Sequence, residues 1–167
     1  MKKLYCIVAT IVAVIFFTSA IETTPAQSRV GYKAPNFTIS NGGQPFSLQH
    51  FRGEYVLLTF WSSVDPVSRL DNKSREREAR LHGLKHVSVN FDRSEGVFQA
   101  ITRTDGTHST TQLFCPEAQR EAIVKNWHLD EAGYCSYLIG PDGDIAAVNP
   151  GREELAQATA ASNLARR

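Results

Sequence analysis

The chain predicts an α/β fold, a mixed central sheet with helices packed on both faces. Three observations carry that expectation. Tyr55 to Trp61 (YVLLTFW) is a continuous apolar and aromatic run, as a strand buried on both faces requires. Beyond it, strand-like and helix-like periodicities alternate, the order of a sheet layered with helices. Near the C-terminus, Gly140-Pro141-Asp142-Gly143 lies between two β-patterned runs and reads as a hairpin turn.

In chain order, Gly31 to Ile39 alternates weakly, Asn41-Gly42-Gly43 signals a turn, and Phe46-Ser47-Leu48 suits a short strand or bridge. The buried strand at Tyr55–Trp61 follows. Ser68 to His82 carries eight charged residues from Arg69 to Arg80, with Leu70 and Leu81 as sparse apolar positions, and predicts a charged, largely exposed helix with a solvated face. His86 to Asp92 alternates as a strand, and Ser94 is placed to cap a helix running through Ile101. Thr110 to Phe114 is β-branched and aromatic; Cys115-Pro116-Glu117 then opens a helix with proline at its first position, continuing to Trp127. Tyr134 to Ile139 and Asp144 to Val148 form the hairpin arms, and a terminal helix begins at Pro150-Gly151-Arg152.

Lys2-Lys3 followed by an uncharged apolar run from Leu4 to Ala20 has the layout of a secretory signal peptide, with cleavage expected after Ala20 or Ala26. An uncleaved membrane anchor is the alternative reading of residues 1–20. Cys6 falls within this run and is assigned to it. Residues 21–30 (IETTPAQSRV) read as a flexible lead, and residues 31–167 as one domain of about 140 residues, enough for a single core. The expected location is the periplasm or cell envelope. The 18 Lys+Arg against 17 Asp+Glu leave a charge near zero, which offers no nucleic-acid surface.

Three segments carry a family resemblance: Gly31-Tyr32-Lys33-Ala34-Pro35-Asn36-Phe37-Thr38-Ile39; Phe51 to Ser63 (FRGEYVLLTFWSS); and Tyr137 to Ile145 (YLIGPDGDI). In order and spacing they resemble the thioredoxin superfamily, in its secreted bacterial branch of TlpA/ResA-like and AhpC/TSA-redoxin-like proteins. The resemblance implies a thioredoxin-like fold and kinship with thiol-disulfide oxidoreductases. It also puts the departures on the chemistry. Against the pattern F-W-A-S-W-C-x-x-C, Asp65 stands at the first cysteine and Ser68 at the second. A carboxylate cannot act as the thiolate nucleophile, so Asp65 is expected to cap a helix instead. Thr59 stands where these enzymes keep a buried acid or amide, and Tyr134 where they keep a cis-proline, so a trans peptide is expected there. A peroxidatic cysteine would have to come from the same turn and is absent as well.

The leading expectation is a secreted thioredoxin-fold protein without CxxC exchange, a binding or accessory protein of the cell envelope. The alternative is a thiol-disulfide oxidoreductase using a relocated pair, Cys115 and Cys135. Those two cysteines admit three states: a structural disulfide worth roughly 3 kcal/mol, two free buried thiols, or a redox pair with Cys115 activated at a helix start. A groove for an extended peptide of an envelope protein is expected from Trp61, Ser63, Val64 and Tyr134, although Trp61 fits the core equally well. His50, His82, His86, His108 and His128 show no ligand spacing. No metal or other cofactor is expected, and membrane contact is expected only through an uncleaved N-terminal segment.

Overall fold

The computed structural model describes residues 30–41, 44–108 and 110–165. The expected signal segment with Cys6, the lead up to residue 29, and Gly42-Gly43 lie outside the described residues. A hairpin of β1 (Thr38–Asn41) and β2 (Gln44–Ser47) precedes a 3-10 turn, Leu48–Phe51. The main sheet then follows as β3 (Val56–Trp61), β4 (Lys85–Asn90), β5 (Thr111–Phe114), β6 (Ser136–Ile139) and β7 (Ile145–Val148). The helices are α1 (Pro66–His82), α2 (Glu95–Asp105), α3 (Glu117–Asn126), α4 (Leu129–Ala132) and α5 (Arg152–Ala165).

The sheet order is β5-β4-β3-β6-β7, with β3, β4 and β5 parallel and β6 and β7 antiparallel to their neighbours. This is the mixed sheet the sequence predicts. Its central strand is the apolar run Val56–Trp61, buried at every position. Alternation sends Val56, Leu58 and Phe60 to one face, where they join Phe37, Ile39, Val87, Val89, Phe91, Leu113, Ile123, Trp127 and Tyr137 in the main core. A smaller cluster on the other face joins Leu57 and Leu138 to Ala79, Leu155 and Ala158 of α1 and α5.

Several boundaries shift. Helix α1 starts at Pro66 rather than Ser68, because Pro66 fits the first turn and Asp65 caps it. Pro116 is the cap of α3, not its first residue, and α3 closes at Asn126 with Trp127 turning out of helical geometry. The short α4 was not expected; its entry residue His128 adopts φ 53°, a left-handed conformation that periodicity does not reveal.

The largest departure concerns α1. Leu70 and Leu81, its sparse apolar positions, are 68% and 73% exposed, whereas Ser68, Asn72, Glu76 and Ala79 are buried. These four recur at helical spacing and form a mainly polar inner stripe. The reason lies beneath them: the sheet centre on this face presents Thr59, His86, Ser88 and Ser136, all buried, so polar groups meet polar groups.

Candidate functional site

The turn from β3 into α1, Ser62 to Asp65, stands where the resemblance puts disulfide exchange. Most of the polar groups that shape it are committed to local structure. Asp65 Oδ1 accepts from Val67 N at 3.2 Å, a helix cap. Ser68 Oγ accepts from Ser62 N at 3.2 Å and donates to the Asp65 carbonyl at 3.2 Å. From the β4 side, buried Asp92 reaches over: its Oδ1 accepts from Ser62 Oγ and from Ser63 N, both at 2.7 Å. Charge-assisted bonds of this length hold a turn firmly.

Arg120 of α3 fastens the same loop, donating to the carbonyls of Phe91 at 2.7 Å and Asp92 at 2.8 Å. Tyr134 spans the remaining gap. Its ring packs on Phe91 with centroids 5.6 Å apart, and its phenol lies within electrostatic reach of Arg120, Asp92 and Asp65 and close to the Ser62 hydroxyl. Burial pushes the Tyr134 hydroxyl above the usual phenol range. The strip between the Ser62–Asp65 turn and the Gly133–Cys135 segment is therefore covered by a tyrosine ring. No described peptide bond is cis, the one before Tyr134 included.

The expected groove does not assemble as drawn. Trp61 is 1% exposed and packs on Phe98 of α2 with centroids 6.2 Å apart, so it belongs to the core. A strand-end aromatic flanked by a helix buries its large apolar area before it serves a surface. Ser63 is half-buried and Val64 is 86% exposed. Beside the turn, a hollow of about 280 Å³ opens between Pro66, Arg69, Leu70, Lys73 and Asp105. Its wall is a bidentate ion pair, Arg69 to Asp105 at 2.7 and 2.8 Å, which holds the Asp105 carboxyl below the usual carboxylate range.

Of the three states open to Cys115 and Cys135, the structure holds the free, buried thiols. The sheet order separates them: Cys115 N bonds Asn90 O at the end of β4, and Cys135 O accepts from Phe60 N of β3. Cys115 thus continues β5 and Cys135 leads into β6, with β4 and β3 between. Three inter-strand steps come to roughly 14 Å, whereas a disulfide needs Cα atoms within about 7 Å. Neither a staple nor a redox pair can form in this fold. Activation at a helix start fails as well, since burial pushes the Cys115 thiol up to about 11 despite the opposing charge of Arg120. Burial also raises Cys135, whose Sγ donates to Tyr137 Oη at 3.1 Å.

One constellation escaped sequence reasoning. Ser136 Oγ donates to Asp71 Oδ2 at 2.8 Å, and Thr59 Oγ1 lies 3.1 Å from Ser136 Oγ and 3.1 Å from His86 Nε2. Beyond the ring, His86 Nδ1 is 3.2 Å from Thr110 Oγ1. Because a carboxylate only accepts, the Ser136 proton goes to Asp71, Thr59 must donate to Ser136, and His86 must donate to Thr59 from Nε2. His86 is therefore the neutral Nε2–H tautomer, accepting from Thr110 at Nδ1. Burial first, and the Arg75 charge second, lower its pKa to about 3. The chain runs across three strands with every proton directed toward Asp71. Its members lie far apart in sequence, on strands and a helix, and only the register joins them.

The sheet order, the β3–α1 turn and the closing hairpin define a thioredoxin-like fold. Solved structures of that class superpose on most of the chain. A thioredoxin-like protein from Parabacteroides distasonis matches with a TM-score of 0.66 at 23% identity, over 82% of this chain and 99% of that one. The thioredoxin domain of a thiol-disulfide oxidoreductase from Bacteroides vulgatus gives a TM-score of 0.68 at 21% identity, over 80% and 96%. A secreted Mycobacterium tuberculosis disulfide oxidoreductase, homologous to E. coli DsbE, gives 0.57 at 19%, over 75% and 95%. No protein-family profile and no curated protein sequence matches the chain.

Proposed function

We propose that this is a thioredoxin-fold protein of the cell envelope that has given up CxxC disulfide exchange and acts as a binding or accessory protein. The observation that carries this reading is the fate of the exchange site. Asp65 and Ser68 are a helix cap and a turn clasp, while the two described thiols are buried three strands apart. Disulfide exchange needs an accessible thiolate and, in these folds, a resolving partner beside it. The envelope setting is supported by the Lys2-Lys3 start with its apolar run to Ala20, and by the secreted neighbour.

The second reading, a working thiol-disulfide oxidoreductase, is favoured by the names of the solved neighbours. Among the described residues it has no paired thiol to work with. Insulin-disulfide reduction separates the two: the purified protein should match a no-protein control, and turnover that disappears in a Cys115→Ser or Cys135→Ser variant would reverse the conclusion. Installing Asp65→Cys, Ser68→Cys and Tyr134→Pro together should generate measurable exchange, because the frame around the turn is retained.

A further inference from the structure

With the old docking strip covered by Tyr134, the surface that faces outward beside it is α1. Its 17 residues place every strongly exposed side chain on one side of the helix. Val67, Leu70 and Leu81, at 76%, 68% and 73% exposure, run along one flank, and Val64 at 86% extends that flank across the turn. Lys73, Arg77 and Arg80, spaced four and three residues apart, form an adjoining exposed stripe.

The acids of this helix are turned away. Asp71 bonds Ser136 and pairs with Arg75; Glu76 is 3% exposed and pairs with Arg80; Glu78 is half-buried beside His82 and Arg152. The outward face thus combines cations and aliphatic side chains with no exposed carboxylate on α1. An inner stripe made of polar residues makes this outer one intelligible: the helix is inverted relative to an ordinary surface helix.

We propose that the outward face of α1 docks on an anionic phospholipid bilayer. The face is a convex helical ridge rather than a groove, so it suits a flat, deformable surface into which short aliphatic side chains can sink beside phosphate-paired cations. The chain that precedes Val30 includes the apolar run ending at Ala20. On the anchor reading of residues 1–20, the residues between could span about 35 Å when extended, which keeps a bilayer within reach of the domain. This names the partner of the binding role proposed above and rests on its envelope setting. It goes beyond the expectation that membrane contact comes only through the N-terminal segment.

The test needs a reporter on α1 itself, because the N-terminal run would bind vesicles unaided. Full-length protein with Leu70→Trp should show a blue-shifted emission, after subtraction of the parent signal, on phosphatidylglycerol vesicles and none on phosphatidylcholine vesicles. Adding Lys73→Gln, Arg77→Gln and Arg80→Gln should weaken that response roughly 100-fold, on about a fivefold contribution per cation. Added salt should weaken it in the unneutralised protein too, which keeps the test decisive if the multiple variant folds poorly. No shift on phosphatidylglycerol, an equal shift on phosphatidylcholine, or a salt-independent shift overturns the proposal. A shift with polyglutamate and none with vesicles also overturns it, assigning the face to an acidic protein. None of these outcomes bears on insulin reduction, so the two readings fail separately.

Discussion

The two faces of one five-stranded sheet follow opposite rules. On the face toward α3 and the β1–β2 hairpin, Val56, Leu58, Phe60, Val87, Val89 and Leu113 pack on aromatic rings, and Phe60 alone touches Phe37, Phe91, Trp127 and Tyr137. On the face toward α1, the same strands present Thr59, His86, Ser88, Asn90, Gln112 and Ser136 around a small apolar patch. Some of these are joined in the Asp71–Ser136–Thr59–His86–Thr110 chain. Others have no hydrogen-bond partner among the described residues: Ser88 Oγ, Asn90 Nδ2, Gln112 Oε1 and the facing Asn72 Oδ1 of α1. Each such buried group costs about 1–3 kcal/mol. The apolar face supplies stability and the polar face spends part of it, so substitutions on the two faces should differ in size and even in sign.

The largest effect is expected on the apolar face. Phe60→Ala should lose about 3–5 kcal/mol of unfolding free energy in denaturant titration, through lost burial and the cavity left among four rings. A loss no larger than that of a surface substitution would erase the distinction between the faces.

Acid should act next, through the polar face. His86 binds its proton only near pH 3 in the folded protein, against about 6.5 when unfolded. Between those values the unfolded chain holds more protons, so the stability present above pH 6.5 drains away as pH falls, at about 1.4 kcal/mol per unit. By about pH 4 roughly 3 kcal/mol should be gone. His86→Asn should flatten the profile over this window, whatever it does to stability at neutral pH.

Thr59→Val keeps the shape of the side chain and removes the link between His86 and Ser136. A loss of about 1–3 kcal/mol is expected, since two buried partners are stranded at once. Ser88→Ala sharpens the comparison from the other direction. It deletes a hydroxyl that has no partner among the described residues at a fully buried position, and should leave stability unchanged or raise it by up to about 1 kcal/mol. Equal losses from both variants would mean that the polar face is uniformly bonded.

The apolar face was legible in the sequence and the polar face was not. A run such as Val56 to Trp61 can only be a buried strand, and Ser94, Gly140 and Gly143 mark their caps and turns by local chemistry. Asp65 is legible for the same reason, because capping is a contact between near neighbours. Helix α1 misled because exposure was inferred from charge. Its inner stripe, Ser68, Asn72 and Glu76, is read correctly only beside the Thr59, His86 and Ser136 that it covers. The separation of Cys115 from Cys135 was hidden likewise, since it depends on strand order and not on the residues between them.

The central claim is that the fold retains a thioredoxin frame in which Cys115 and Cys135 cannot meet. Equilibrating the folded protein in glutathione buffers from reducing to oxidising, then alkylating and mapping by mass spectrometry, tests it directly. Cys115 and Cys135 should be recovered unlinked to each other at every potential, and accessible to alkylation only after unfolding. Reversible formation of a Cys115–Cys135 disulfide, with a midpoint inside the buffer range, would contradict the account.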